Sequence, residues 1–116
     1  MARLALTRRT MGGTKNPAVV AFAAGDAVLL ADGAEFDLMG GEILVVHNPT
    51  VGAITATLLG APDTQGRDVD SAQVVAANDG MAVFGPVAQD GWQQTGGKGH
   101  LDVTVDGLLV TLLAPA

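Results

Sequence analysis

The chain has 116 residues and no cysteine, which allows one domain with one core and excludes disulfide frames and thiolate metal sites. Its net charge of −6 is divided unevenly: residues 1–17 hold Arg3, Arg8, Arg9 and Lys15 and no acid, giving +4, and the rest carries −10. A body so acidic repels nucleic acid, and apolar runs this short exclude helical membrane spans, which need roughly twenty residues.

Residues 1–17 mix charge with Gly12-Gly13 and Asn16-Pro17 and show no sustained helical face. They are predicted to run as an extended basic arm. Arg8 and Arg9 break any signal-type apolar run, so synthesis in the cytoplasm is expected. The domain proper is predicted over 18–116. Residues 18–23 form a short apolar run, predicted as the first core strand, and 27–31 form a second. Asp32-Gly33 after it is a hairpin signal. Residues 35–39 are expected as a short edge segment.

The organising stretch is 40–60. Residues 43–46 are apolar and rich in branched side chains, as a buried strand requires. Asn48-Pro49-Thr50 ends that strand, because proline has no N–H for the ladder. From Val51 the pattern alternates. Ala53, Thr55 and Thr57 fall on one face, and Ile54, Ala56 and Leu58 on the other, the mark of a strand with one wet face. A polar loop over 61–68 leads to a strand over 71–76. Asn78-Asp79-Gly80 makes a tight turn into 81–84, which Gly85-Pro86 closes. Residues 87–99 are irregular and glycine-rich. Residues 100–105 alternate, with Leu101, Val103 and Val105 on one face, and Asp106-Gly107 is read as a hairpin turn into 108–113.

Short strands with turn signals at this spacing predict an all-β fold, a small antiparallel β-sandwich or barrel with an extended N-terminal arm. Its expected core is Ile43, Val45, Ile54, Leu58, Val74, Val83, Val103, Leu109 and Val110.

The chemistry-bearing residues are few. His47 and His100 have no neighbouring His or Cys in sequence, so a structural role is expected for each. Asp63, Asp68 and Asp70 offer oxygen ligands for calcium, but their spacing fits no EF-hand loop and a solvated turn is expected. Thr95-Gly96-Gly97-Lys98-Gly99 departs from a phosphate loop, with an extra glycine before the lysine and Gly99 where Ser or Thr is needed. No catalytic residue, cofactor or required metal is expected. Trp92, the only tryptophan, is read either as a packing residue near Pro86 or as an interface anchor.

The order of features over 26–114 resembles the small β-sandwich head decoration (cement) proteins of tailed bacteriophages. The likeness rests on Ile43-Leu44-Val45-Val46-His47-Asn48, on Ile54-Thr55-Ala56-Thr57-Leu58, on Gln65-Gly66-Arg67-Asp68, and on Phe84-Gly85-Pro86 followed by Trp92 and the closing strands. The resemblance implies a structural virion protein on the outside of an assembled capsid. Its partners would be the major capsid protein and sister copies, as a homotrimer or other homo-oligomer, with no direct contact to nucleic acid or membrane. A neck or tail protein of similar fold is the alternative, as is a carbohydrate- or receptor-binding module, for which one Trp, three Phe and no Tyr supply few stacking surfaces. The arm lies outside the resemblance. It is read as a solubilising tail or, with Arg3, Arg8, Arg9 and Lys15 as steering charges and Leu4, Leu6 and Met11 as anchors, as a docking arm that leaves the sandwich. Trp92 completes the expected interface set.

Overall fold

The computed structural model describes residues 3–10, 26–28 and 32–115. Among these, ten strands build two sheets: β1 (Leu4–Ala5), β2 (Arg8–Thr10), β3 (Asp26–Val28), β4 (Ala34–Asp37), β5 (Glu42–Asn48), β6 (Ile54–Leu58), β7 (Ser71–Val75), β8 (Gly80–Val87), β9 (Lys98–Val103) and β10 (Leu108–Ala114). The first sheet has the order β1-β4-β9-β6-β7. The second has the order β2-β10-β5-β8, with β3 also paired to β10. The all-β expectation holds. The sheets are mixed rather than purely antiparallel, because β1 pairs parallel with β4 and β2 parallel with β10.

Successive strands mostly alternate between the sheets. β5 lies in the second sheet and β6 in the first; β7 and β8, and β9 and β10, divide the same way. The turns at Asp32-Gly33 and Asp106-Gly107 are therefore arches over the core, not hairpins. A turn signal marks a reversal, and two strands with facing apolar sides bury more by crossing the core than by pairing edge to edge. Asn48 fixes one arch. Its amide donates to the carbonyls of Gly52 at 2.8 Å and Val75 at 3.0 Å, and its oxygen accepts from the N–H of Thr50 at 3.0 Å and the Thr50 hydroxyl at 2.6 Å.

The core between the sheets holds Leu44, Val46, Ile54, Ala56, Leu58, Phe84, Leu101, Val103, Leu108, Val110 and Leu112 among others. The alternation read in β6 is correct: Ile54, Ala56 and Leu58 are buried, while Thr55 and Thr57 are half-buried. Elsewhere the phase differs from expectation. Leu44 and Val46 face the core in β5, so Ile43 points outward and is half-buried, and Val45 is buried but stands apart from the core cluster. Leu109, one residue out of phase with Leu108 and Val110, is also half-buried. Val74 and Val83 face outward at 70% and 57% exposure, and Val105 lies beyond the end of β9. Strand β4 is no edge, since β1 flanks it. The strand expected over 18–23 lies outside the described residues.

Close packing between β4 and β9 depends on Gly99. The Phe36 ring occupies the space where a Gly99 side chain would stand. Gly99→Ala is expected to cost about 1–3 kcal/mol through overpacking, read as a lower urea midpoint with an unchanged m-value.

The N-terminal segment corrects the expectation of an arm leaving the sandwich. Residues 4–10 are extended, but they are strands of the domain. The N–H of Leu4 donates to Gly33 at 3.1 Å and that of Leu6 to Glu35 at 2.9 Å. Leu6 joins the core at 8% exposure, where the chain crosses from the first sheet to the second. Leu4 remains 37% exposed. Met11, Lys15 and the proposed boundary at residue 17 lie outside the described residues.

Candidate functional site

The N-terminal arginines expected at an interface are turned onto the acidic body. Arg3 Nη1 lies 2.6 Å from Asp102 Oδ1 and 3.4 Å from the carbonyls of Ala34 and Leu101. Gly33, at φ 66°, leaves room for this pair, since a side chain there would stand 2.5 Å from both charged atoms. Arg9 Nη1 lies 3.9 Å from Asp26 Oδ2. The Asp26 carboxylate also accepts the Thr7 N–H at 2.6 Å, fixing the crossing between β1 and β2.

Arg8 makes the most buried of these contacts. Its guanidinium donates to Glu42 Oε2 at 2.7 Å and to the carbonyl of Asp37 at 3.0 Å. The Glu42 side chain is fully buried, whereas that of Arg8 is 33% exposed. The other carboxylate oxygen, Oε1, accepts the N–H groups of Met39 at 3.2 Å and Gly40 at 2.8 Å. Burial alone pushes the Glu42 carboxyl up. The Arg8 guanidinium and the surrounding backbone N–H groups outweigh it and hold the acid below the usual glutamate value.

A carboxyl depressed in the folded state contributes stability above its unfolded pKa, about 4.3 for glutamate, and loses it as pH falls through the folded value. Glu42→Gln is therefore expected to flatten the acid limb of stability. Melting temperatures from pH 6 to pH 2 should fall less steeply in the variant than in the native chain.

Trp92 occupies the opposite margin of the sandwich. It is half-buried and packs against the core. The segment before β9 is braced locally: the Gln93 side-chain amide donates to the Leu38 carbonyl at 2.7 Å and that of Gln94 to Gly60 at 2.9 Å. Trp92 borders two depressions. One, of about 250 Å³, is lined by Leu58, Ser71, Gln73, Val83, Phe84, Pro86 and Trp92 among others. The other, of about 390 Å³, is lined by Asp63, Arg67, Val69, Asp90, Gly91 and Trp92.

The strands beside the first cleft end their sheets. Among the described residues, β7 pairs only with β6 and β8 only with β5. Neither Ser71–Val75 nor Gly80–Val87 contains a charged residue, and Val69, Val74, Met81 and Val83 are all more than half exposed. A two-residue step in β8 opposite Ile43 and the proline at position 86 interrupt the far end of that edge. Trp92 was legible as a candidate. The uncharged edges were not, because edge position is a property of topology. The available signal was the absence of charge from 71 to 78 and from 80 to 89.

Several of the remaining candidates make contacts within the fold. Asp63 Oδ1 accepts the N–H groups of Gln65 at 2.8 Å and Arg67 at 2.9 Å, and the Arg67 N–H is the foremost cause that holds this acid below the usual carboxylate range. Asp70 accepts the Gly60 N–H at 2.8 Å. Among the described residues no group of three or more His, Cys, Asp or Glu is placed to hold a metal ion. Lys98 pairs with Asp37. His47 lies 3.0 Å from Asp79, whereas burial and the nearby Arg3 push the His100 imidazole down. No described helix is long and apolar enough to cross a membrane. Comparison with family models, with curated proteins and with solved structures finds no match.

Proposed function

We propose that this chain is a structural virion protein that binds the outer surface of an assembled tailed-phage capsid and stabilises it. The observation that carries the reading is the β7–β8 margin: two uncharged strand edges, a cleft between them, Trp92 at its border and exposed valines around it. Free edges offer main-chain pairing to an extended segment, and apolar side chains around them supply the buried contact that holds it. The motifs that carry the resemblance contribute to this margin, with Leu58, Phe84, Pro86 and Trp92 lining one depression and Arg67 the other. The partner is the major capsid protein, and no chemistry is assigned to the chain. A protein that binds only the mature lattice stabilises it by mass action.

Co-sedimentation with expanded and unexpanded capsids tests the proposal. The native chain should bind expanded capsids saturably and unexpanded ones weakly. Val83→Asp, at a position 57% exposed, should keep its melting temperature and lose at least about tenfold in affinity, since a carboxylate would have to be desolvated at the contact. Equal binding by Val83→Asp, or no binding by the native chain, would overturn it.

A further inference from the structure

We propose that the capsid segment held at the β7–β8 margin is an extended strand that adds to the second sheet beside β8, sets an apolar side chain in the cleft under β7 and lays a basic one against Asp90. This rests on the proposed capsid binding and names the chemistry of the segment that β8 and Trp92 receive. The first support is a mismatch in width. Only Leu6 and Thr7 join β1 to β2, so the two sheets start together at that margin. From there the first sheet runs five strands wide, to β7. The second runs four, to β8, because β2 and β3 share one side of β10 and β5 takes the other. One position, beside β8 and across from β7, is left without a strand among the described residues. The side chains around it are open to solvent. Ser71, Gln73 and Val75 share the inward face of β7; Val75 is buried in the core, yet Gln73 is exposed. Val83, Gly85 and Pro86 on β8 are exposed as well. The cleft of about 250 Å³ lies here, and the core residues Leu58 and Phe84 reach its wall. A strand in this position continues the ladder of the second sheet and turns alternate side chains onto Leu58, Gln73 and Phe84.

The second support is where the ladder stops. β8 runs in unbroken register with β5 only from Gly80 to Phe84. Beyond that, Pro86 has no N–H to give. Main-chain pairing therefore covers 80–84, and further along the segment is held by side chains at Phe84, Pro86 and Trp92. No charged residue lies on β8, so its neighbours there are apolar. The third support is charge. Past Trp92 the segment meets the second depression, walled by Asp63, Arg67, Val69, Asp90 and Gly91. The loops around it, 61–70 and 88–91, hold Asp63, Asp68, Asp70 and Asp90 against Arg67, a net −3. Asp63 holds the Arg67 Nε at 2.8 Å. Asp90 accepts the N–H and hydroxyl of Thr64 at 3.0 and 3.4 Å and is paired with no cation among the described residues. A carboxylate beside an indole suits a basic side chain, whose alkyl stem packs on the ring while the surrounding acids steer its approach.

Hydrogen exchange of the full-length chain bound to expanded capsids, together with co-sedimentation, tests this. Binding should slow amide exchange over 80–84 by at least about tenfold, and by more than over 71–75. Asp90→Lys should keep its melting temperature and lose at least about tenfold in affinity at about 0.05 M salt, a gap that narrows at about 0.5 M as the charge is screened. Asp106→Lys makes the same change of charge in the exposed turn before β10, at the far end of the sandwich from Trp92, and should bind within about threefold of the native chain. Capsid binding with protection no greater over 80–84 than over 71–75 would overturn the placement beside β8 and leave the capsid reading standing. Asp90→Lys that binds no worse than Asp106→Lys would overturn the basic segment in the same way. A native chain that binds no capsid would overturn the reading and this inference together.

Discussion

Leu44→Asp is expected to abolish folding at 25 °C, whereas Ile43→Asp, one residue earlier in the same strand, should leave a folded domain. Leu44 is 0% exposed in the core, with Phe84 opposite it in β8 and Leu112 opposite it in β10. An aspartate there would be charged without a partner or neutralised at a cost of several kcal/mol, with the lost burial of leucine added. The total, above about 5 kcal/mol, rivals the whole stability of a domain this size. Ile43 points out of the second sheet and is half-buried, so a carboxylate at that position keeps contact with water. A cost of about 1–2 kcal/mol is expected there. Circular dichroism and urea titration distinguish the two. Equal loss in both variants would show that the assigned phase of β5 is wrong.

Deletion of residues 1–10 is expected to destabilise the domain by at least about 4 kcal/mol, by loss of Leu6 burial and of the partner to a buried carboxylate. Glu42 would keep the N–H groups of Met39 and Gly40 but lose Arg8, its only ion-pair partner among the described residues. A large part of the loss should reappear in Arg8→Ala, at about 2–3 kcal/mol because Arg8 is one-third exposed. Glu42→Gln in the Arg8→Ala background should restore part of it by removing the charge. A truncated chain that melts at the native temperature would mean that the segment only rests on the surface.

Strand positions were legible because period-two patterning and turn residues are local properties. β6 shows this best, since threonine and apolar residues alternate along it. The phase of β5 was not legible, because Glu42 to Val46 offers apolar residues to both faces and places a charged residue on the buried one. Glu42, the residue that opens the strand, is a fully buried partner of Arg8. The charge imbalance of the N-terminus was plain in the sequence, but composition cannot say which acids a cation meets. Asp102 is 99 residues from Arg3 and Glu42 is 34 from Arg8. The same non-locality hid the arches and the edge positions that β7 and β8 hold among the described residues. Both depend on which strands pair, and a turn signal is silent on that point. Trp92 stood out as the only tryptophan, yet only the folded chain sets it between two depressions.

The proposed role implies that a tailed phage encodes this chain, and cryo-electron microscopy of the particles of such a phage would test that role most directly. Many copies are expected on the outer capsid surface, with the margin formed by β7, β8 and Trp92 seated on the major capsid protein. Density for the chain confined to the neck or tail, or particles that lack it, would contradict that role.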